Sequence, residues 1–272
     1  MCRLAAYVGA PAALSTPLLD PPHSLAVQSQ DPREQLHGRL NVDGTGVAWW
    51  EEAPGGAPLR YVTERTLWSD PNLAPLAPKL RGRIQIAAVR SATPGVPFGP
   101  GNVAPFVHGG LAGAHNGFLG RFREATGRAL AARLPDAHYA ALDAVSDSQL
   151  LFLRAASLLE QDVEPLPGAS RLAAAVRAAV LEAAALSREL DAASTLNLVV
   201  SDGTTLVATR LAEGCAANTL YTLEGGRRWP GASLLASEPL DEDPSWTAVT
   251  EGTLVELTPD GVARHALEGA RV

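Results

Sequence analysis

Met1-Cys2-Arg3-Leu4-Ala5-Ala6-Tyr7-Val8-Gly9-Ala10-Pro11 is the stretch whose reading decides the fold. Leu4 to Gly9 is short and apolar, and Gly9-Ala10-Pro11 closes it, which predicts a buried strand. Cys2 stands directly ahead of that strand. Methionine is commonly trimmed when the next residue is small, and trimming leaves Cys2 with a free α-amino group. Such an amine has a reference pKa of about 7.7–8.0, so a useful fraction is neutral at physiological pH. It can take a proton from its own thiol, directly or through a water. When protonated, it lowers the thiol pKa instead. One residue is then both nucleophile and base. Taken alone, Cys2 reads more simply as a small apolar residue that begins a strand.

Three further stretches carry groups that such a nucleophile needs. Ile84 to Val89 is apolar on both faces, which predicts a central strand. It runs into Val89-Arg90-Ser91-Ala92-Thr93-Pro94, where a guanidinium can hold a substrate carboxylate in a bidentate fork. In isolation Arg90 reads as a strand-end arginine reaching solvent. Leu111 to Ala114 leads to His115-Asn116-Gly117. By local rules Asn-Gly is a tight hairpin turn; chemically, an Asn amide and a Gly N–H are two donors for a developing oxyanion. Ser146-Asp147-Ser148-Gln149 opens a helix with a capping box. Asp147 in its first turn is kept ionised by the helix dipole, and can bind an ammonium or merely cap.

The remaining pattern is strands around a helix pair. A short polar helix is expected around Ser24 to Ser29 and a strand over Val47 to Trp50. Leu150, Leu151, Leu153, Ala156 and Leu159 belong to the first long helix. Leu172, Val176, Ala179, Ala183, Leu186 and Leu190 form the apolar stripe of a second, from about Arg171 to Leu190, with Arg177, Glu182, Arg188 and Glu189 off it. Asp162 to Gly168 is the loop between them. Leu196 to Val200, Thr205 to Thr209, Ser233 to Ala236 and Thr253 to Leu257 are strands separated by Gly-bearing turns. This is an α+β layered protein, with no internal repeat or linker, read as one domain over residues 1–272.

The bulk properties exclude several classes. The 272 residues are 46% hydrophobic and 19% charged, which suits a sizeable core and not disorder. A net charge of −7 with a single lysine, Lys79, makes nucleic acid an improbable partner, because phosphate neutralisation needs clustered cations. Apolar runs such as Ala173 to Val176 stop far short of the roughly 20 residues of a membrane span. Two cysteines, Cys2 and Cys215, do not make a disulfide framework, and a cytoplasmic setting is expected. The run after Arg3 is interrupted by Gly9 and Pro11 and makes a poor secretory signal. Six histidines (His23, His37, His108, His115, His138 and His265) show no metal-ligand spacing, so no metal is expected. Cys215, among Gly and Ala, reads as inert.

In this order the motifs resemble the class II glutamine amidotransferases. The residues behind the likeness are Met1-Cys2-Arg3, the Asp43-Gly44-Thr45-Gly46 turn before Val47, Arg90 and Thr93, Asn116-Gly117, Asp147, and Ala236-Ser237-Glu238-Pro239-Leu240. The resemblance covers the whole chain. It implies the four-layer αββα sandwich of the N-terminal-nucleophile hydrolases and no cofactor. By the same resemblance, Cys2 is the nucleophile, Asn116 and Gly117 bind the oxyanion, Arg90 and Thr93 grip the glutamine carboxylate, and Asp147 takes its α-amino group. Leu19-Asp20-Pro21-Pro22-His23-Ser24-Leu25 and Ser237 to Trp246 are similar to the ergothioneine-pathway γ-glutamyl hydrolases, which act on γ-glutamyl hercynylcysteine sulfoxide. Leu4 and Thr45 depart from that subgroup, which often has His and an aromatic there. The resemblance therefore implies a hydrolase of small γ-glutamyl amides. Its alternatives are a glutaminase subunit feeding ammonia to a separate synthase, and a catalytically silent glutamine-binding or scaffold module. The oligomeric state is left open.

Overall fold

The computed structural model describes residues 2–36, 38, 40–51, 56–92 and 98–267. In chain order the elements begin with β1 (Arg3–Ala13), α1 (Ser15–Leu18), α2 (Leu25–Gln28), β2 (Thr45–Trp50), β3 (Leu59–Thr63), α3 (Leu73–Leu76), β4 (Arg81–Val89), β5 (Phe106–His108) and β6 (Leu111–Leu119). They continue with α4 (Gly127–Ala131), α5 (Asp136–Ala140), α6 (Asp147–Leu159), α7 (Arg171–Glu189), β7 (Ser194–Ser201), β8 (Leu206–Arg210) and β9 (Ala212–Glu213). The last are β10 (Tyr221–Glu224), β11 (Ser233–Ala236), β12 (Thr247–Ala248), β13 (Thr253–Thr258) and β14 (Gly261–Ala266). The strands form two antiparallel sheets. The first has the order β12-β10-β11-β1-β4-β2-β3, and the second β14-β13-β8-β7-β6-β5, with β9 on β7.

Period-two alternation assigns each face. Leu4, Ala6 and Val8 of β1, Ala48 and Trp50 of β2, and Ile84, Ile86 and Ala88 of β4 point to the second sheet. There they meet Ala112, Ala114, Val199, Ala208 and Val255. The alternate residues Ala5, Tyr7, Val47, Trp49, Ala87 and Val89 face the opposite way, against Leu14, Leu18, Leu25 and Leu73 of the short helices and their flanks. On the far side of the second sheet, Leu196, Leu198 and Val200 pack against α6 and α7. The layers run helix, sheet, sheet, helix, as expected. The layer over the first sheet is thin, because its three helices have four residues each.

The expected elements fall close to their places. The α7 stripe from Leu172 to Leu186 is buried, with Leu190 packed beside it. Off the stripe, Glu182 receives Arg133 at 2.6 Å and Arg154 at 2.7 Å. Two local readings are corrected. The first strand does not end at Gly9: it continues to Ala13 through a shift in register between Val8 and Ala12, and such an irregularity absorbs Pro11, which has no N–H to give. Asn116-Gly117 is no turn. It lies within β6, where Asn116 pairs with Asn197 and Gly117 with Leu196.

Candidate active site

Cys2 is positioned by what surrounds its neighbours. Arg3 pairs with Val89 of β4. Leu4 donates its N–H to Ser237 Oγ at 3.0 Å, while Ser237 returns its own N–H to the Leu4 carbonyl at 2.9 Å. The Arg3 side chain is fully buried, donating to Glu238 Oε1 at 3.3 Å and Gln35 Oε1 at 3.2 Å. Glu238 also accepts from His23 Nε2 at 2.9 Å and from the backbone of Arg33 and Glu34 at 2.8 and 3.0 Å. Burial alone would raise the Glu238 pKa. The hydrogen bonds from His23, Arg33 and Glu34 and the charge of Arg3 outweigh it and hold the carboxyl below its ordinary value. A buried guanidinium is tolerated only with such compensation. The residue after Cys2 is thus fixed to the end of β11.

Cys2 itself is partly exposed, its thiol 3.8 Å from the Ser91 carbonyl. Arg90 follows β4 at the same end. Its backbone N–H donates to the Gly44 carbonyl at 2.8 Å and its carbonyl accepts from Asp43 at 3.0 Å. Asp43 Oδ2 accepts from Ala92 N at 2.7 Å. The Asp-Gly turn before β2 is therefore a brace for the Arg90 loop. Gly44 has φ +132°, and a Cβ there would sit 2.7 Å from Val103, so only glycine serves. The Arg90 guanidinium lies 5.9 Å from the centre of the Phe98 ring. Thr93 lies outside the described residues.

The opposite wall comes from β6 and α6. Ser146 caps α6 by accepting from Gln149 N at 3.2 Å. The Gln149 side chain takes the N–H of Ala144 rather than closing the box on Ser146. Asp147 Oδ2 accepts from Leu119 N at 3.0 Å, and Oδ1 from Ser148 N at 2.7 Å. These bonds stitch the start of the helix to the end of β6 and leave acceptor capacity on the carboxylate. His115, 3% exposed, donates from Nε2 to the Thr195 carbonyl at 2.9 Å, so Nδ1 is the acceptor facing Ser148 Oγ at 3.0 Å. Burial pushes its pKa down, and the ring is neutral. Gly117 lies against this pair: a Cβ there would overlap both the Thr195 carbonyl oxygen and the His115 ring.

Cys2, Arg90, Gly117 and Asp147 line one cavity, together with Ser148 and Phe106. Asn116, one residue along β6, is fully buried beside it. Its Nδ2 donates to Ser237 Oγ at 3.3 Å, and its oxygens accept from Asn218. The serine that anchors Leu4 is therefore the one that holds the Asn116 amide. Sequence reasoning assigned no role to Ser237, Asn218, His115 or Ser148. Cys215 lies elsewhere, its thiol on the Ser194 carbonyl at 3.4 Å, and burial raises its pKa.

Two stacked antiparallel sheets between helical layers, with a cysteine at the head of an interior strand, are the arrangement of the N-terminal-nucleophile hydrolases. The chain belongs to the class II glutamine amidotransferases, whose family model matches residues 24–222. It is 35% identical over 271 residues to the γ-glutamyl-hercynylcysteine sulfoxide hydrolase of Mycobacterium tuberculosis, covering 100% of this chain and 99% of that one. It is 34% identical over 257 residues to the hydrolase of the same name in Mycolicibacterium smegmatis, covering 94% and 96%. Among solved structures, the glutamine aminotransferase class-II domain protein of Silicibacter pomeroyi superposes with a TM-score of 0.68 at 24% identity, over 98% of this chain and 99% of that one. No helix among the described residues is long and apolar enough to cross a membrane.

Proposed function

We propose that this chain hydrolyses the γ-glutamyl amide bond of γ-glutamyl hercynylcysteine sulfoxide and releases glutamate. The observation that carries the reading is the convergence of Cys2, Arg90, Gly117 and Asp147 on one cavity, in a chain matched end to end by two hydrolases of that name.

In this reading Met1 is removed and the Cys2 α-amine takes the thiol proton. The thiolate attacks the amide carbonyl, forming the C–S bond, and the oxyanion is held by the Gly117 N–H and the Asn116 amide. The α-ammonium gives its proton to the leaving nitrogen as the C–N bond breaks, leaving a γ-glutamyl thioester. A water, deprotonated by the same amine, attacks the thioester and frees glutamate and the thiol. Arg90 and Asp147 grip the carboxylate and ammonium of the glutamyl group, and so fix the carbonyl against the sulfur. Thr93 completes the carboxylate grip.

The test compares purified chain on γ-glutamyl hercynylcysteine sulfoxide, other γ-glutamyl amides and glutamine, with glutamate release as the readout. The sulfoxide substrate is expected to have the highest kcat/KM with no added protein. Preference for glutamine, with turnover rising only when cell extract is added, would replace this reading with ammonia donation to a synthase.

A further inference from the structure

We propose that His108, His138 and Glu160 form a binding site for one divalent transition-metal ion of the zinc class, at the outer edge of the second sheet. His108 ends β5, His138 lies in α5, and Glu160 directly follows α6. The fold brings one ligand atom from each to within 4.8 Å of the others. The two imidazole centres are 4.8 Å apart, tilted by 46°, and His138 Nε2 stands 3.6 Å from Glu160 Oε1.

His138 carries the argument. It is 3% exposed, yet neither ring nitrogen has a hydrogen-bond partner. Buried polar groups are satisfied almost without exception, and an orphan requires an explanation. The other deeply buried histidines obey the rule: His115 has both nitrogens engaged, and His23 is bonded to Glu238. Among the described residues, only at His138 does an orphaned imidazole face a second imidazole and a carboxylate.

The donor set fits the ion. Two imidazoles and one carboxylate suit zinc, cobalt or nickel, whereas magnesium and calcium prefer oxygen alone. Zinc–nitrogen bonds of about 2.0–2.1 Å place tetrahedral ligands roughly 3.3 Å apart. The His138–Glu160 separation of 3.6 Å is near that already. No separation exceeds 4.8 Å, and Glu160, whose side chain is 67% exposed, is free to turn toward the imidazoles. Three protein ligands leave a fourth position to water.

The position gives the ion a task. β5 is an edge strand held by three residue pairs to β6, and its Phe106 lines the Cys2 cavity. A metal bridging His108 to α5 and α6 pins that wall from outside. It is a structural clamp, independent of the proposed reaction.

The test uses full-length, metal-free protein carrying Cys2→Ala and Cys215→Ala, so that thiols supply no ligand. Titration with Co2+ is expected to give one ion per chain with visible d–d bands, and Zn2+ to raise the unfolding temperature. Losing a group that merely orients a ligand weakens metal binding by about 10- to 100-fold. Glu160→Gln and His108→Asn, both at accessible positions, are expected to weaken it at least that much and to remove the thermal shift. Absence of saturable binding at millimolar metal, or unchanged binding when Glu160→Gln and His108→Asn are combined in that background, would overturn the site.

Discussion

At the scale of single residues, the two cysteines are separated by environment. Cys2 is partly exposed in the cavity, whereas Cys215, though exposed, lies outside it and is held to a carbonyl with its pKa raised. A glutamine-mimicking electrophile should label Cys2 alone, and Cys2→Ala should abolish turnover while leaving the circular dichroism spectrum unchanged; peptide mapping that finds the label on Cys215 refutes the assignment. In the proposed reading, Arg90→Ala and Asp147→Ala each remove a charge-assisted bond to the glutamyl group. Such bonds are worth about 1.5–3 kcal/mol, or roughly ten- to a hundredfold in kcat/KM. Steady-state kinetics near wild type in both variants would place the glutamyl group elsewhere. Cys2, Arg90 and Asp147 could be singled out in the sequence because each stands in a short motif and the order of the motifs resembles the family's. Ser237 was not assigned a role: the two bonds its hydroxyl accepts, from Leu4 and Asn116, join segments more than a hundred positions apart, and no local pattern records that. His138 and His108 were passed over for the same reason, since ligand spacing rules see only neighbours.

At the scale of elements, the apolar periodicity of α7, the Ser146 cap of α6 and the two-faced β4 were all readable, because each is a property of one segment. The error at Asn116-Gly117 came from applying turn chemistry where the chain does not turn. Gly117 has no positive φ; it is glycine because β6 and β7 approach there too closely for any side chain. Gly117→Ala should therefore push β6 away from Thr195 and displace His115. Overpacking of this kind costs about 1–3 kcal/mol, measurable by urea unfolding, and activity should fall with it. An alanine variant as stable and active as the parent would show that the strands give way without consequence. Short strands such as β3, β10 and β14 were missed, since they are sheet-edge or near-edge pieces whose pattern is set by their partners.

At the scale of the whole molecule, Glu238 ties together Arg3, His23 and the backbone of Arg33 and Glu34. Glu238→Ala leaves the buried Arg3 uncompensated, at a cost of about 3–5 kcal/mol, and calorimetry should register it as a lowered Tm. Acid should act through the same balance. His115 and His108 have folded pKa values below the ordinary 6.5. Below that pH the unfolded chain binds protons that the folded chain refuses, and stability falls. Glu238, held below 4.5, adds stability above its unfolded pKa that is lost as the pH drops further. Urea unfolding at pH 7.5 and 5.5 should show the histidine contribution, up to about 1.4 kcal/mol per pH unit per proton, and His115→Asn should reduce it. An unchanged slope in that variant would exclude His115 as a source.

The strand that follows Cys2 pairs on one side with β4 and on the other with β11, as in Ala5 opposite Ala236. An interior strand is thus completed by a segment about 230 positions later in the chain. Until Ser233 to Glu238 has been synthesised, Arg3 has no Glu238 carboxylate and Leu4 no Ser237 hydroxyl to hold it. The proposed reactivity of Cys2 therefore depends on the far end of the fold, and a polypeptide truncated before β11 should carry no working thiol.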